Sequence, residues 1–199
     1  KFFVDGVVES ATAEMIAPYV DTHEHGLPNW SREELLLAVA HFDALGFQTH
    51  LHAIGDRAVR HALDSIENAT QVNQSWDRRS TITHVQVVHP DSHPPFAELV
   101  HPEDLGNLQY PVGSLWRSGA RLSFGSDWPV SPNNFVETML VAATRQTGDG
   151  SPADGWVPEQ RITVHDGLLI ATAGTAYQSY TEKFRGTLEV GMAADLVVL

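Results

Sequence analysis

Three polar side chains stand where short apolar runs end: His52 after residues 47–51, His84 within residues 80–88, and Asp127 after residues 120–124. Two neutral imidazoles and a carboxylate are donors that hold zinc or a similar divalent ion, at about 2.0–2.2 Å, with one position left for water. A metal so held lowers the pKa of its water to about 7, and hydroxide then forms at neutral pH. Asp127 can take the water proton and return it to a leaving amine, as general base and then general acid. Each residue also has a plainer explanation. A lone strand-end histidine usually packs or hydrogen-bonds, and Gly-Ser-Asp after a strand is often a turn closed by an Asx bond. The recurrence of such residues at successive strand ends is what points to a common site.

That chemistry requires elements that bring the strand ends together. Short apolar runs alternate with helical patterns, the signature of βα units around a parallel sheet, and the strand C-termini of a parallel barrel point into its catalytic mouth. Residues 31–34 (SREE) read as a capping box. Leu35, Ala38, Val39, Phe42 and Leu45 follow at helical spacing, with Gly46 as the stop. Residues 47–52 read as a strand. Gly55 and Asp56 turn the chain into a second helix, with Asp56 as N-cap and Ala58, Val59, Ala62, Leu63 and Ile66 as the apolar face. Residues 80–88 form the next predicted strand, and Pro90 opens a helix through Phe96, Leu99 and Val100. Beyond Gly119 the pattern predicts a strand over 120–124, helices over 135–145 and 164–173, and a surface loop over 147–158. Two short strands are expected around Gly191.

Composition narrows the partners. A formal charge of −13 over 199 residues offers no basic patch to a nucleic acid and disfavours anionic membrane surfaces. With no cysteine, a metal must be held by His, Asp, Glu or a modified Lys. No apolar run approaches a membrane span and no signal-peptide pattern opens the chain, so cytoplasm is the default expectation. The chain opens on Phe2, Phe3 and Val4 and stops on residues 196–199 (LVVL), both strand-like, which suggests a cut at each end.

Residues 47–59 (FQTHLHAIGDRAV) resemble the fifth-strand motif of amidohydrolase family 3, the YtcJ-like branch of the metal-dependent amidohydrolase superfamily. Residues 1–6 (KFFVDG), 82–90 (ITHVQVVHP), 124–130 (FGSDWPV) and 186–199 (GTLEVGMAADLVVL) resemble the same family in the same order. The resemblance makes His52 the fifth-strand ligand, His84 the sixth-strand ligand and Asp127 the eighth-strand acid. It matches Lys1 to the fourth-strand lysine, carboxylated and bridging two ions in binuclear members; read alone, Lys1 is an ordinary terminal charge. Trp128, beside Asp127, either shapes the substrate pocket or packs beneath its loop. The family's first-strand His-x-His pair has no counterpart in order, and the passage from Val100 to Tyr110 is too short for the family's seventh strand and loop.

Residues 20–25 (VDTHEH) imitate that missing pair, with His23 and His25 at strand alternation. Ala17 and Pro18 precede them, Gly26 and Pro28 follow, and they fall after the fourth-strand match, so they read as a loop with two exposed histidines. His50 is expected in the barrel interior or behind the site. His89, His93 and His101, beside prolines, are expected to face solvent, and Asp5-Gly6 reads as a turn.

The expectation is an α/β chain: a partial TIM-like (β/α) barrel over residues 1–185, covering the region of strands 4 to 8 without the seventh, and the returning strands of a flanking β-sandwich over 186–199. The implied activity is metal-dependent hydrolysis of carbon–nitrogen, non-peptide amide bonds. One or two zinc or similar divalent ions would serve it, with a small amide-like substrate. The alternatives are a catalytically incomplete fragment that self-associates and an esterase on the same barrel. Unpaired sheet edges would favour a homo-oligomer.

Overall fold

Ser31 sets the start of helix α1 (Arg32–Ala44) in the computed structural model. Its hydroxyl accepts the Glu34 amide at 3.2 Å, while the Glu34 carboxylate accepts the Ser31 amide at 2.9 Å. Each bond satisfies a backbone donor that the first helical turn leaves open. The helix closes at Leu45, and Gly46 follows with φ of 80°, the left-handed backbone that glycine adopts without a Cβ clash.

The structure describes residues 1–89 and 109–197, which fall into two compact units, Lys1–Pro111 and Val112–Leu199. Residues 90–108 hold the helix expected from Pro90, His93, His101 and most of the shortened passage before Tyr110; these lie outside the described residues.

The first unit is built on strands β1 (Phe2–Phe3), β2 (His50–Ala53) and β3 (Thr81–His84), all parallel and in that order. Parallel neighbours need long crossovers. Helix α1 lies between β1 and β2 in the chain, and helix α2 (Asp56–Val72) lies between β2 and β3. Phe2, Leu51 and Ala53 are buried, as are Leu35 and Val39 of α1 and Ala58, Val59 and Ala62 of α2. The Phe2 ring meets Trp30 and Phe42 edge-on, each at 5.8 Å. Two predicted strands are displaced. β2 begins three residues later than expected, and β3 stops at His84 because His84 and Val85 take left-handed backbone, with φ of 71° and 48°.

At the opposite end of these strands Asp43 fastens the helix ends together. This buried carboxylate on α1 accepts Asn73 Nδ2 at 2.8 Å, Trp76 Nε1 at 3.1 Å and Arg78 Nε at 2.7 Å. Asn73, the C-cap of α2, also donates to the Ala40 carbonyl at 2.8 Å. Local reading gives no hint of this, because the partners lie thirty or more residues away.

The second unit is helical: α3 (Val112–Arg117), α4 (Phe135–Thr144), α5 (Val164–Leu169), a π turn over Ile170–Gly174, and α6 (Thr175–Gln178). Its core joins Ala142, Ile162 and Ile170, with Trp116, Leu122 and Phe124 packed against them. The strand expected over 120–124 is not formed. Its apolar residues are used for burial, but a ladder needs a neighbouring strand, and the unit's described residues supply none. For the same reason the returning strands expected over 186–199 are turn and coil through residue 197. The helix expected over 164–173 continues as the π turn and α6. Among the described residues no helix is long and apolar enough to cross a membrane.

Two outcomes follow for stability. Asp43→Ala takes from the Arg78 guanidinium, whose side chain is 10% exposed, its carboxylate partner, and is expected to cost about 3 kcal/mol in urea unfolding. The Ser31 amide, and then the Ser31 hydroxyl, hold the Glu34 carboxyl below its ordinary value of 4.5. That cap therefore contributes above 4.5 and is lost as pH falls through the lowered value. Ser31→Ala, which keeps the backbone amide but loses the hydroxyl, is expected to lower stability at neutral pH and weaken this acid dependence, read by thermal unfolding across pH 2–6.

Candidate metal site

The register of β1, β2 and β3 sets Phe3, His52 and Thr83 side by side across one face of the sheet. A pleated strand alternates its side chains, so His84, paired with Ala53, belongs by alternation to the other face. The left-handed backbone at His84 and Val85 breaks that alternation. The His84 ring stands 4.4 Å from the His52 ring, at 67° between planes. A non-glycine residue in this conformation costs about 1–3 kcal/mol, and such strain persists where the surrounding structure enforces it, commonly at functional sites.

His52 is 8% exposed, and its Nε2 lies 3.0 Å from the Gly6 carbonyl oxygen. A carbonyl can only accept, so Nε2 carries the hydrogen and the lone pair of the neutral ring is on Nδ1. One flank of the ring meets Phe3, with centroids 5.3 Å apart. His50, two residues earlier on the same face, bonds Thr83 Oγ1 through Nε2 at 3.2 Å.

Behind His52 lies Asp5, 2% exposed. Its carboxylate accepts the backbone amides of Glu14 at 2.9 Å, Ile54 at 3.0 Å and Gly55 at 2.8 Å. Its Oδ1 is 3.7 Å from His52 Nε2. Burial pushes the Asp5 carboxyl above its ordinary value, opposed by the amides of Gly55, Glu14 and Ile54 and by His52. Asp5-Gly6 is locally a turn signal, so the sequence pattern does not single out this residue. The usable signal was its position: a carboxylate just past an apolar strand, at the end where barrels place their chemistry.

The start of α2 joins the same cluster. Gly55, not Asp56, is its N-cap. The Glu14 carbonyl accepts the Arg57 and Ala58 amides at 3.2 and 3.3 Å, so backbone from the preceding loop does the work expected of a side chain. Asp56 sits one position inside, fully buried, where its Oδ1 accepts the Ile16 amide at 2.7 Å and the Arg57 amide at 2.9 Å.

The remaining predicted residues stand as follows. Lys1 is exposed, with its ammonium 4.9 Å from the Phe3 ring centroid. Asp127, in the second unit, is exposed on a turn with φ of 53°, its carbonyl accepting the Val130 amide at 2.9 Å. Trp128 is 71% exposed, so it does not pack beneath its loop. Residues 20–28 form a loop in which His23 and His25 are both exposed, and His25 Nδ1 contacts the Met15 carbonyl at 3.2 Å. His89 is half-buried rather than solvent-facing.

Among the described residues no three histidine or acidic side chains gather as a metal cage. What the first unit supplies is a neighbouring pair of imidazoles, one with its tautomer fixed by a carbonyl. That pair fits a divalent ion as two donors of a larger set, because zinc and its neighbours take neutral imidazole nitrogen.

The amidohydrolase family matches residues 1–199. Protein LONG AFTER FAR-RED 3 of Arabidopsis thaliana is 31% identical, aligned to 100% of this chain and 38% of its own length. N-substituted formamide deformylase of Arthrobacter pascens is 26% identical, aligned to 100% of this chain and 40% of its own length. A crystal structure from Pyrococcus horikoshii OT3, described as an uncharacterized metal-dependent hydrolase, superposes with a TM-score of 0.79 at 26% identity. It covers 97% of this chain and 42% of that one. The chain thus spans about two-fifths of the length of the relatives it matches.

A Cβ at Gly55 would stand 2.1 Å from the Glu14 carbonyl oxygen, and backbone cannot yield as a flexible side chain can. Gly55→Ala is expected to cost about 1–3 kcal/mol and to strip hydrogen-exchange protection from the Arg57 and Ala58 amides. Unchanged protection there would contradict the docking of Glu14 on α2.

Proposed function

The chain belongs to the amidohydrolase family, and from that premise we propose that it serves metal-dependent hydrolysis of carbon–nitrogen bonds, other than peptide bonds, in small amide-like molecules. The observation that carries this reading is the His52–His84 pair, brought to 4.4 Å by a strained turn, with the Gly6 carbonyl placing the His52 lone pair on Nδ1. The names of the deformylase relative and the hydrolase neighbour support the reaction class.

His52 and His84 would hold a divalent ion, zinc by its affinity for imidazole, and that ion would supply Lewis acidity and an acidified water. The other tasks belong to the chain. The Gly6 carbonyl retains the His52 Nε2 proton and so fixes the orientation of the ring. Asp127 takes a proton at its carboxylate from the attacking water and delivers it to the departing nitrogen; its part rests on the FGSDWPV motif. Trp128 offers its exposed indole to the substrate. A carbamate on Lys1 would extend the donor set to a second ion.

Metal analysis and turnover of N-formyl and N-acyl amides by the full-length protein test the reading. At least one zinc per chain is expected. Removing both imidazoles (His52→Ala with His84→Ala) should abolish it, while Asp127→Asn should retain metal and lower kcat by about 10²–10⁴-fold. Full metal content in the double variant would contradict the assignment.

A further inference from the structure

Resting on the reading of His52 as a metal-binding side chain, we propose that Asp5 is its positioning residue. The buried carboxylate holds the loops around the imidazole so that Nε2 keeps the proton and Nδ1 is presented to the ion.

The geometry converges on one ring. Asp5 joins three stretches of chain: its own position after β1, the Glu14 amide, and the Ile54 and Gly55 amides just past β2. Its backbone carbonyl takes a fourth, accepting Asn29 Nδ2 at 3.2 Å. Gly6 is confined as a result. Its amide donates to the Thr12 carbonyl at 3.1 Å, and a Cβ there would stand 2.1 Å from Thr12 Oγ1. The Gly6 carbonyl therefore has little freedom, and it is the group that accepts the His52 Nε2 hydrogen.

Asp5 also acts on the ring directly. A carboxylate oxygen 3.7 Å from Nε2 repels a lone pair at that nitrogen and attracts an N–H. The two neutral tautomers of imidazole are close in energy, and the nitrogen that binds a metal is set by the bond the other nitrogen makes. Two acceptors facing Nε2 select the form whose lone pair is on Nδ1. An isosteric amide cannot substitute. Asparagine offers one acceptor oxygen where the carboxylate offers two, and it turns an NH₂ toward backbone N–H groups.

Long-range ¹H–¹⁵N spectra of the imidazoles at about pH 8, on metal-stripped full-length protein with His52 assigned by His52→Gln, read the tautomer directly. The wild type should be in the Nε2–H form; an Nδ1–H form would overturn the proposal without recourse to any variant. In Asp5→Asn that retains native circular dichroism, the tautomer should become mixed and zinc affinity should fall about 10–100-fold. An unchanged tautomer and affinity in folded Asp5→Asn would also overturn it. Asp43→Ala is the control for a purely structural loss, expected to lower stability while leaving the His52 tautomer and zinc affinity as in wild type. An Asp5-dependent tautomer in a wild-type protein that binds no zinc would sink the metal reading and leave the hold of Asp5 on His52 intact.

Discussion

A carboxylate inside a protein must find donors for both oxygens or lose the free energy of its hydration. Asp5 finds them in the Glu14, Ile54 and Gly55 amides, and the rest of the strand-end architecture follows from that demand. Fixing the Glu14 amide places the Glu14 carbonyl over the first turn of α2. Fixing the Ile54 and Gly55 amides places the end of β2, and with it the His52 imidazole. The opposing effects on the Asp5 carboxyl, burial against three amides and a histidine, describe the same balance. The group is costly to bury, and it is retained where it organises three loops.

The two ends of these βα units are stabilised differently. At the carboxyl ends of the strands are a buried acid, a pair of imidazoles and two consecutive left-handed residues, His84 and Val85. At the amino ends the Asp43 cluster ties α1 to the end of α2 with three side-chain donors, one of them in an ion pair. The candidate metal residues and the Asp43 cluster thus lie at opposite ends of the same parallel strands.

What the sequence disclosed depended on how far apart the interacting residues lie. The cap of α1 was legible because Ser31, Glu34 and Gly46 act within their own helix. His52 and His84 were legible as strand-end residues in a family-like motif. Asp5 was not, because Ile54 and Gly55 lie about fifty positions away and Asp-Gly is locally a turn signal. Asp56 was misassigned because the cap of α2 is supplied by the carbonyl of a distant residue, Glu14. The apolar pattern at 120–124 correctly marked Leu122 and Phe124 for burial. It could not specify a strand, since strand formation belongs to a pair of segments rather than to one.

Convergence of two imidazoles on one cation is the central claim, and anomalous X-ray diffraction at the zinc edge, from crystals of the full-length protein, tests it most directly. The expected result is a zinc peak bonded to His52 Nδ1 and to the His84 ring. A peak on His52 Nε2, or zinc bound elsewhere with this pair bare, would contradict it.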